Sequence, residues 1–530
     1  MERADAVVIG AGLNGLTAAA RLAGAGLSVL VVERTGHVGG GMAQRELAAG
    51  YSVPPIGFSH GYVPPELIRE FDLGRHGLQM VRREGGVSLL DDDTYVAGYT
   101  DPQVMQRELA RHSRRDADAW PRFARDMMRL ADQTKQSLLL SPSDPSSRSI
   151  SSFKKRLSHV KEVAALRPEE LYEMSRFWCL SLNDLLGQYF ESPAVRAFLA
   201  APALVGRALG PDDPTGAALL APLWLNGSEG GAPWRMSPKG GMAALSNVMA
   251  DIVRARGGEI RFDAEVTDIK MINKKAAAVI LADGEEIDTG LIVSDLDVKR
   301  SFLSLFQWSG LPDGFGEDVA HVQMEGIVAR INFALKEMPK FSSLPAGLPA
   351  LSGGLSIGGE TDNMARAYDD WRDQRPPTRP MLDIAIPSLD DPSLAPVGGH
   401  VFAINVQYVP HELHDGVWSP MRRNALLQTV KDMISRHAPD FESHIIAEEL
   451  RVPADIEDEA GYTHGDPFLG QMSLDQMSFN RPVPGFSAYQ SPIKNFYLCS
   501  ASAHPGSLAL GAAGANAAQE IIDGLKGRRS

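Results

Sequence analysis

Gly10, Gly12 and Gly15, with Glu33 eighteen residues after the last of them, are the residues whose types and spacing point most directly to chemistry. Gly10 permits a tight turn. Gly12 leaves room for backbone to approach a pyrophosphate, with which a Cβ would collide, and Gly15 lets a helix sit close to a strand. Leu13 and Asn14 stand at the start of that helix, where unpaired N–H groups and the positive end of the helix dipole favour phosphate. Glu33 stands where a carboxylate accepts hydrogen bonds from ribose hydroxyls. The chemistry implied is dinucleotide binding. For acid–base work the best candidate is His504, in a turn just before a helix, although His504-Pro505 also reads simply as a turn-shaping pair. His60 is a weaker candidate by the same logic, and no nucleophile–base–acid set or metal-ligand spacing stands out.

These residues need elements to position them. Ala6, Val7, Val8 and Ile9 read as a strand that ends at Gly10; Leu16, Ala19, Ala20 and Ala23 fall at helical spacing; Val29 to Val32 reads as a second strand ending on Glu33. Arg34 and the run Gly39-Gly40-Gly41, followed by Met42, come next, and successive glycines allow the backbone to bend around a phosphate or a bulky planar group. Near the other end of the chain, 495–499 reads as a strand, 500–506 as a turn holding Ser502 and His504, and 511–525 as a small-residue helix. Its first residues, Gly511, Ala512 and Ala513, can present N–H groups to the electron-rich edge of a cofactor ring.

Composition limits the remaining possibilities. A chain of 530 residues is long enough for two or three domains with a large core. The net charge of −14 argues against a nucleic-acid partner. Cys179 and Cys499 are far apart, which argues against a disulfide framework, a zinc site and a dithiol relay. The opening strand begins within a few residues of Met1, leaving no room for a targeting peptide, and no apolar run reaches the length of about 18 needed to span a bilayer; a cytoplasmic protein is expected.

The fingerprint, Glu33-Arg34 and the glycine run resemble the FAD-binding opening of the flavoproteins that include phytoene desaturases, amine oxidases and the GDP-dissociation-inhibitor fold. A PKGGM stretch at 238–242, a strand through Val266, a β-hairpin and Ser294-Asp295 extend the resemblance, as do Met472-Ser473-Leu474-Asp475-Gln476 and Arg481-Pro482. The last of these resemble one branch of the phytoene desaturase-like proteins. The resemblance implies an α/β fold: a Rossmann-type FAD-binding domain with a discontinuous mixed α+β substrate domain. The expected division is 1–95, 236–305 and 480–530 for FAD, and 96–235 and 306–479 for substrate. It implies FAD contacts from Gly40, Gly41 and Met42, from Val266 at the adenine, and from Ser502, Gly511, Ala512 and Ala513 at the ring. Many relatives carry arginine where this chain has Met42, and Ser507-Leu508-Ala509-Leu510 departs from a more glycine-rich pattern.

The activity implied is desaturation or dehydrogenation of an apolar, isoprenoid-like or acyl substrate. An amine or alcohol oxidase using oxygen, and a non-catalytic binding protein on the same fold, are the alternatives. Expected partners are the apolar small molecule and an electron acceptor that the sequence does not identify; a homo-oligomer is compatible with it. Residues 101–200 read as mainly helical, with Asp101-Pro102 as a helix start and a further helical pattern over 169–190. Phe153, Leu157 and Val160 share one helical face with four basic residues nearby, which fits either an ordinary surface helix or a peripheral membrane contact. Strands are expected over 259–262, 266–271, 277–281, 287–293, 327–335, 381–386 and 401–408, and a helix over 420–437. Asp475 and Arg481 are expected to brace the junction between domains as buried polar groups, with His464 left open.

Overall fold

The computed structural model describes residues 3–58, 61–142, 168–227 and 230–527. His60 and the amphipathic stretch 153–161 lie outside these residues. Ala6–Ile9 and Val29–Val32 are short, wholly apolar and buried on both faces, the signature of strands inside a parallel sheet. They form the middle of a five-stranded parallel sheet in the order Glu259–Arg261, Val29–Val32, Ala6–Ile9, Ile292–Ser294, Phe496–Leu498. The opening helix Leu13–Gly24 connects the two central strands, and its small residues let the closing helix Ala512–Gly527 pack against it. The approach is so close that a Cβ at Gly514 would collide with the Asn14 carbonyl.

A four-stranded sheet flanks this core, with Asp283-Gly284 turning Lys275–Leu281 back into Glu286–Thr289. The single strand expected over 287–293 is instead two. Glu286–Thr289 pairs in the flanking sheet and Ile292–Ser294 in the parallel one. The chain changes sheets at Gly290-Leu291, where the Thr289 hydroxyl accepts from the Leu291 N–H and donates to the Leu291 carbonyl, which also accepts from the Val7 N–H.

The larger sheet has seven strands, in the order Ile445–Arg451, Val328–Leu335, His400–Gln407, Met381–Ala385, Leu355–Ile357, Val87–Leu89, Tyr95–Ala97. Val87–Leu89 pairs with Leu355–Ile357, although the expected boundary at residue 95 groups it with the nucleotide-binding segments. One face packs on the helix Pro420–His437 through Leu426, Val430 and Ile434. A helical layer adjoins the opposite side. Asp101 caps Pro102–Ala110 by accepting from the N–H groups of Gln103 and Val104 at 2.8 and 3.0 Å, as its sequence position predicts. Arg114–Leu138 buries Trp120, Phe123, Met127 and Leu130 and turns its arginines outward. The helical pattern over 169–190 breaks into Pro168–Cys179 and Leu182–Tyr189, because Ser181 caps the second helix by accepting from the Asp184 N–H at 3.0 Å. Among the described residues no helix is long and apolar enough to cross a membrane.

Candidate functional site

The C-terminal ends of the central parallel strands open onto a cavity of about 400 Å³. Such a crevice is where open α/β sheets bind ligands, since helix N-termini and loop N–H groups converge there. Gly10, Gly12, Leu13, Asn14, Glu33 and Arg34 line it from the opening unit, and Gly40 and Met42 from the glycine run. Val266 and Gly511 reach the same cavity from segments hundreds of residues away. Gly10 has a left-handed φ of 98°, which turns the chain from strand into helix.

Gly15, Gly41, Ser502, Ala512, Ala513 and His504 are not on the cavity wall. Gly15 serves packing, since a Cβ there would collide with the Gly10 carbonyl. Gly41 donates its N–H to the Tyr462 hydroxyl at 2.9 Å. The Ser502 hydroxyl is spent within the protein, donating to the Leu469 carbonyl at 2.7 Å and accepting from the Val298 N–H at 3.0 Å. Ala512 and Ala513 are buried in the first turn of the closing helix, so that helix meets the cavity at Gly511.

His504 is a correction. Its Nε2–H donates to the Ser137 carbonyl at 2.9 Å, and the Asn516 amide donates to the Leu138 carbonyl at 3.0 Å. Both carbonyls stand at the end of the helix Arg114–Leu138, where backbone acceptors lack helical partners. His504 is therefore part of a helix C-cap. Burial pushes its imidazole down to about 4, which keeps it neutral. Of the other residues singled out beforehand, Arg481 is buried as expected and donates to the carbonyls of Phe468, Leu469, Gly470, Gln471, Gln476 and Ala501. Asp475 is exposed, contrary to expectation, and His464 stacks on His411 at 5.3 Å.

Three further side chains face the cavity: Asp295, whose Ser294-Asp295 motif carried part of the resemblance but no role, and Arg300 and Tyr462, which the sequence did not single out. The expected clash of a Gly12 side chain with pyrophosphate has a counterpart inside the protein, since a Cβ there would collide with the Asp295 carboxylate. Burial raises the Asp295 pKa well above the usual carboxylate range; the Gly15 N–H opposes the shift and Glu33 adds to it. Glu33 itself shapes the turn. One oxygen accepts from the Ala11 N–H at 2.8 Å, the other from the Thr35 N–H and hydroxyl at 2.9 and 2.8 Å.

The cavity fits a dinucleotide on two counts. Its glycine turn leaves backbone bare at a helix N-terminus, with a carboxylate at the ribose position. Gln44 and Ser507 also line it, and the Gln44 amide oxygen and the Ser507 hydroxyl are buried without a hydrogen-bond partner among the described residues. Buried polar atoms of this kind call for a ligand or water to complete them.

Residues 8–71 match the NAD(P)-binding Rossmann-like domain family. The chain is 32% identical to pyridine nucleotide-disulfide oxidoreductase domain-containing protein 2 of Mus musculus, over 98% of this chain and 94% of that protein. It is 22% identical to a lycopene-forming phytoene desaturase of a Paracoccus species, over 94% of this chain and 93% of the relative. The solved structure of cyclohexylamine oxidase from Brevibacterium oxydans has the same fold, with a TM-score of 0.57 at 15% identity and 99% of both chains covered. Similarity to the mouse protein along nearly the whole chain, together with the Rossmann-like opening, makes this chain a member of the pyridine nucleotide-disulfide oxidoreductase domain-containing protein 2 family of phytoene desaturase-like oxidoreductases.

Proposed function

We propose that the protein is an FAD-dependent oxidoreductase that desaturates or dehydrogenates an apolar substrate of isoprenoid-like or acyl type. The observation that carries this reading is the continuity of one cavity. It runs from the glycine turn and Glu33, past Val266 and Met42, to Gly511 and an apolar wall of Ile56, Leu469, Ala509 and Leu510. The polar part suits the adenosine and diphosphate of a dinucleotide, and the apolar part suits a ring system and a hydrocarbon beside it.

When bound, a flavin supplies a hydride acceptor at N5, so the protein needs no triad of its own. The tasks left to this chain are binding, orientation and exclusion of water. Glu33 and the N–H groups at the start of the helix Leu13–Gly24 hold the nucleotide. Gly511 brings the closing helix, with its positive dipole end, to the far end of the cavity. Ile56, Leu469 and Leu510 supply apolar surface against which water is unfavourable.

Anaerobic titration of the FAD-reconstituted protein tests the substrate class. We expect the flavin absorbance to bleach with a polyisoprenoid hydrocarbon or a long-chain acyl thioester, and to persist with a primary amine such as cyclohexylamine. Bleaching by the amine alone overturns the desaturase reading in favour of an amine oxidase.

A further inference from the structure

The starting point is the balance of charge around the cavity, and the inference rests on reading that cavity as an FAD site. Glu33, Glu265, Asp295, Asp297 and Glu459 line it, burial raising the pKa of Asp295 and of Asp297, and a diphosphate would add negative charge. The arginines on the same wall are Arg34, Arg45 and Arg300. Arg45 is tied to Glu449, and Arg34 donates to the Glu459 carbonyl. The Arg300 guanidinium makes no ion-pair contact and no hydrogen bond among the described residues, although its charge is felt at the Asp297 carboxylate, whose pKa burial raises and Arg300 lowers. Arg34 and Arg300 also lie close together: a Cβ on Gly461 would collide with Arg300 Nη1 and stand 3.5 Å from Arg34 Nη2. Two guanidinium groups held this close repel each other, and an anion between or beside them relieves the repulsion.

Local structure explains why Arg300 is there. Asp297 accepts from the Arg300 N–H at 2.9 Å, and from the Thr463 N–H and hydroxyl at 3.2 and 2.9 Å. That one carboxylate staples the corner after Ile292–Ser294 to the corner at 461–466. Arg300 also opens a π-helical turn, Arg300–Ser304, a rare geometry that recurs at functional sites. The same staple delivers Tyr462. Its hydroxyl accepts from the Gly41 N–H, and its own O–H has no acceptor among the described residues. A Cβ at Gly41 would collide with that phenol, so glycine is required where the glycine run meets the corner at 461–466.

We infer that Arg300 and Tyr462 form a second phosphate-binding element, which joins the glycine turn in gripping the diphosphate of the cofactor. Arg300 offers phosphate oxygens a planar fork of donors, and Tyr462 adds a neutral O–H donor. Burial pushes the Tyr462 phenol up to about 12, so its hydrogen stays in place at neutral pH.

Deflavinated wild type, Arg300→Gln, Arg300→Lys and Tyr462→Phe, titrated with FAD by flavin fluorescence and with ADP and adenosine by calorimetry, test this. We expect Arg300→Gln to weaken FAD and ADP at least tenfold and Tyr462→Phe about threefold, with Arg300→Lys between wild type and Arg300→Gln. Adenosine, which lacks the phosphates but keeps the ribose contact, should bind all four proteins within about twofold. The Arg300→Gln deficit should shrink as salt rises. FAD affinities within twofold of wild type in both Arg300→Gln and Tyr462→Phe overturn the inference, as does an equal loss for adenosine and ADP. Should Arg300→Gln fail to fold, Arg300→Lys and Tyr462→Phe carry the same comparison. Failure of the wild type itself to bind FAD would instead overturn the cofactor reading beneath it.

Discussion

Glu33 and His504 show how differently two candidate residues fare once their partners are known. Glu33 lines the cavity and also fastens the turn through Ala11 and Thr35. Glu33→Gln removes the charge that strengthens hydrogen bonds from ribose hydroxyls and turns one of the two acceptor oxygens into an NH2 donor facing the N–H of Ala11 or Thr35. A loss of roughly 1.5 kcal/mol, or about tenfold in FAD affinity, is expected by fluorescence titration. His504 caps a helix away from the cavity, so His504→Gln, whose amide can still donate to Ser137, should retain flavin and turnover. Its depressed pKa has a signature in stability. The unfolded chain takes up a proton near 6.5 and the folded one only near 4, so acidification through that window favours unfolding, by up to about 3 kcal/mol at its lower end. Urea melts at a series of pH values should show wild-type stability falling from pH 6.5 towards 4, with a flatter profile in His504→Gln over that window.

At the scale of elements, the closing helix is held by its fit against the opening one. A Cβ at Gly514 would meet the Asn14 carbonyl, which is backbone and cannot swing aside. Gly514→Ala should cost about 1–3 kcal/mol through overpacking and loosen the cavity at Gly511, read as a lower melting temperature and faster flavin loss. Arg481 is the matching case among polar groups. Arg481→Met strands the carbonyls between 468 and 476 that now share one guanidinium, and a loss of about 3–5 kcal/mol is expected by thermal or urea melting. Elements were also where the sequence was most informative. The helix Pro420–His437 coincides with its expected span, and Val328–Leu335 and His400–Gln407 lie within one residue of theirs at each end, because their apolar patterns are long. The split at Gly290 was not legible, since 287–293 is apolar enough for one strand and only the choice of neighbour divides it.

At the scale of the whole molecule, the site is an assembly of corners brought together from six distant segments, between Ile9 and Gly511. The glycine fingerprint was legible because its chemistry is written in local spacing. Tyr462 and Arg300 were not, because each is an ordinary residue whose role comes from tertiary placement, fixed in part by the Asp297–Thr463 staple, and Asp295 was legible only as part of the Ser294-Asp295 motif, with no role attached. The disulfide chemistry in the name of the family has no counterpart here: Cys179 is exposed, Cys499 is buried with its thiol pKa pushed up, and both are free. In the proposed function, electron transfer rests on the cofactor instead. Gel filtration of apoprotein equilibrated with FAD, followed by the visible spectrum of the protein peak, tests this most directly. One bound flavin per chain is expected in wild type and none in Gly12→Ala, where the added Cβ would collide with Asp295. A wild-type peak without flavin, at FAD concentrations well above those in cells, would contradict the cofactor reading.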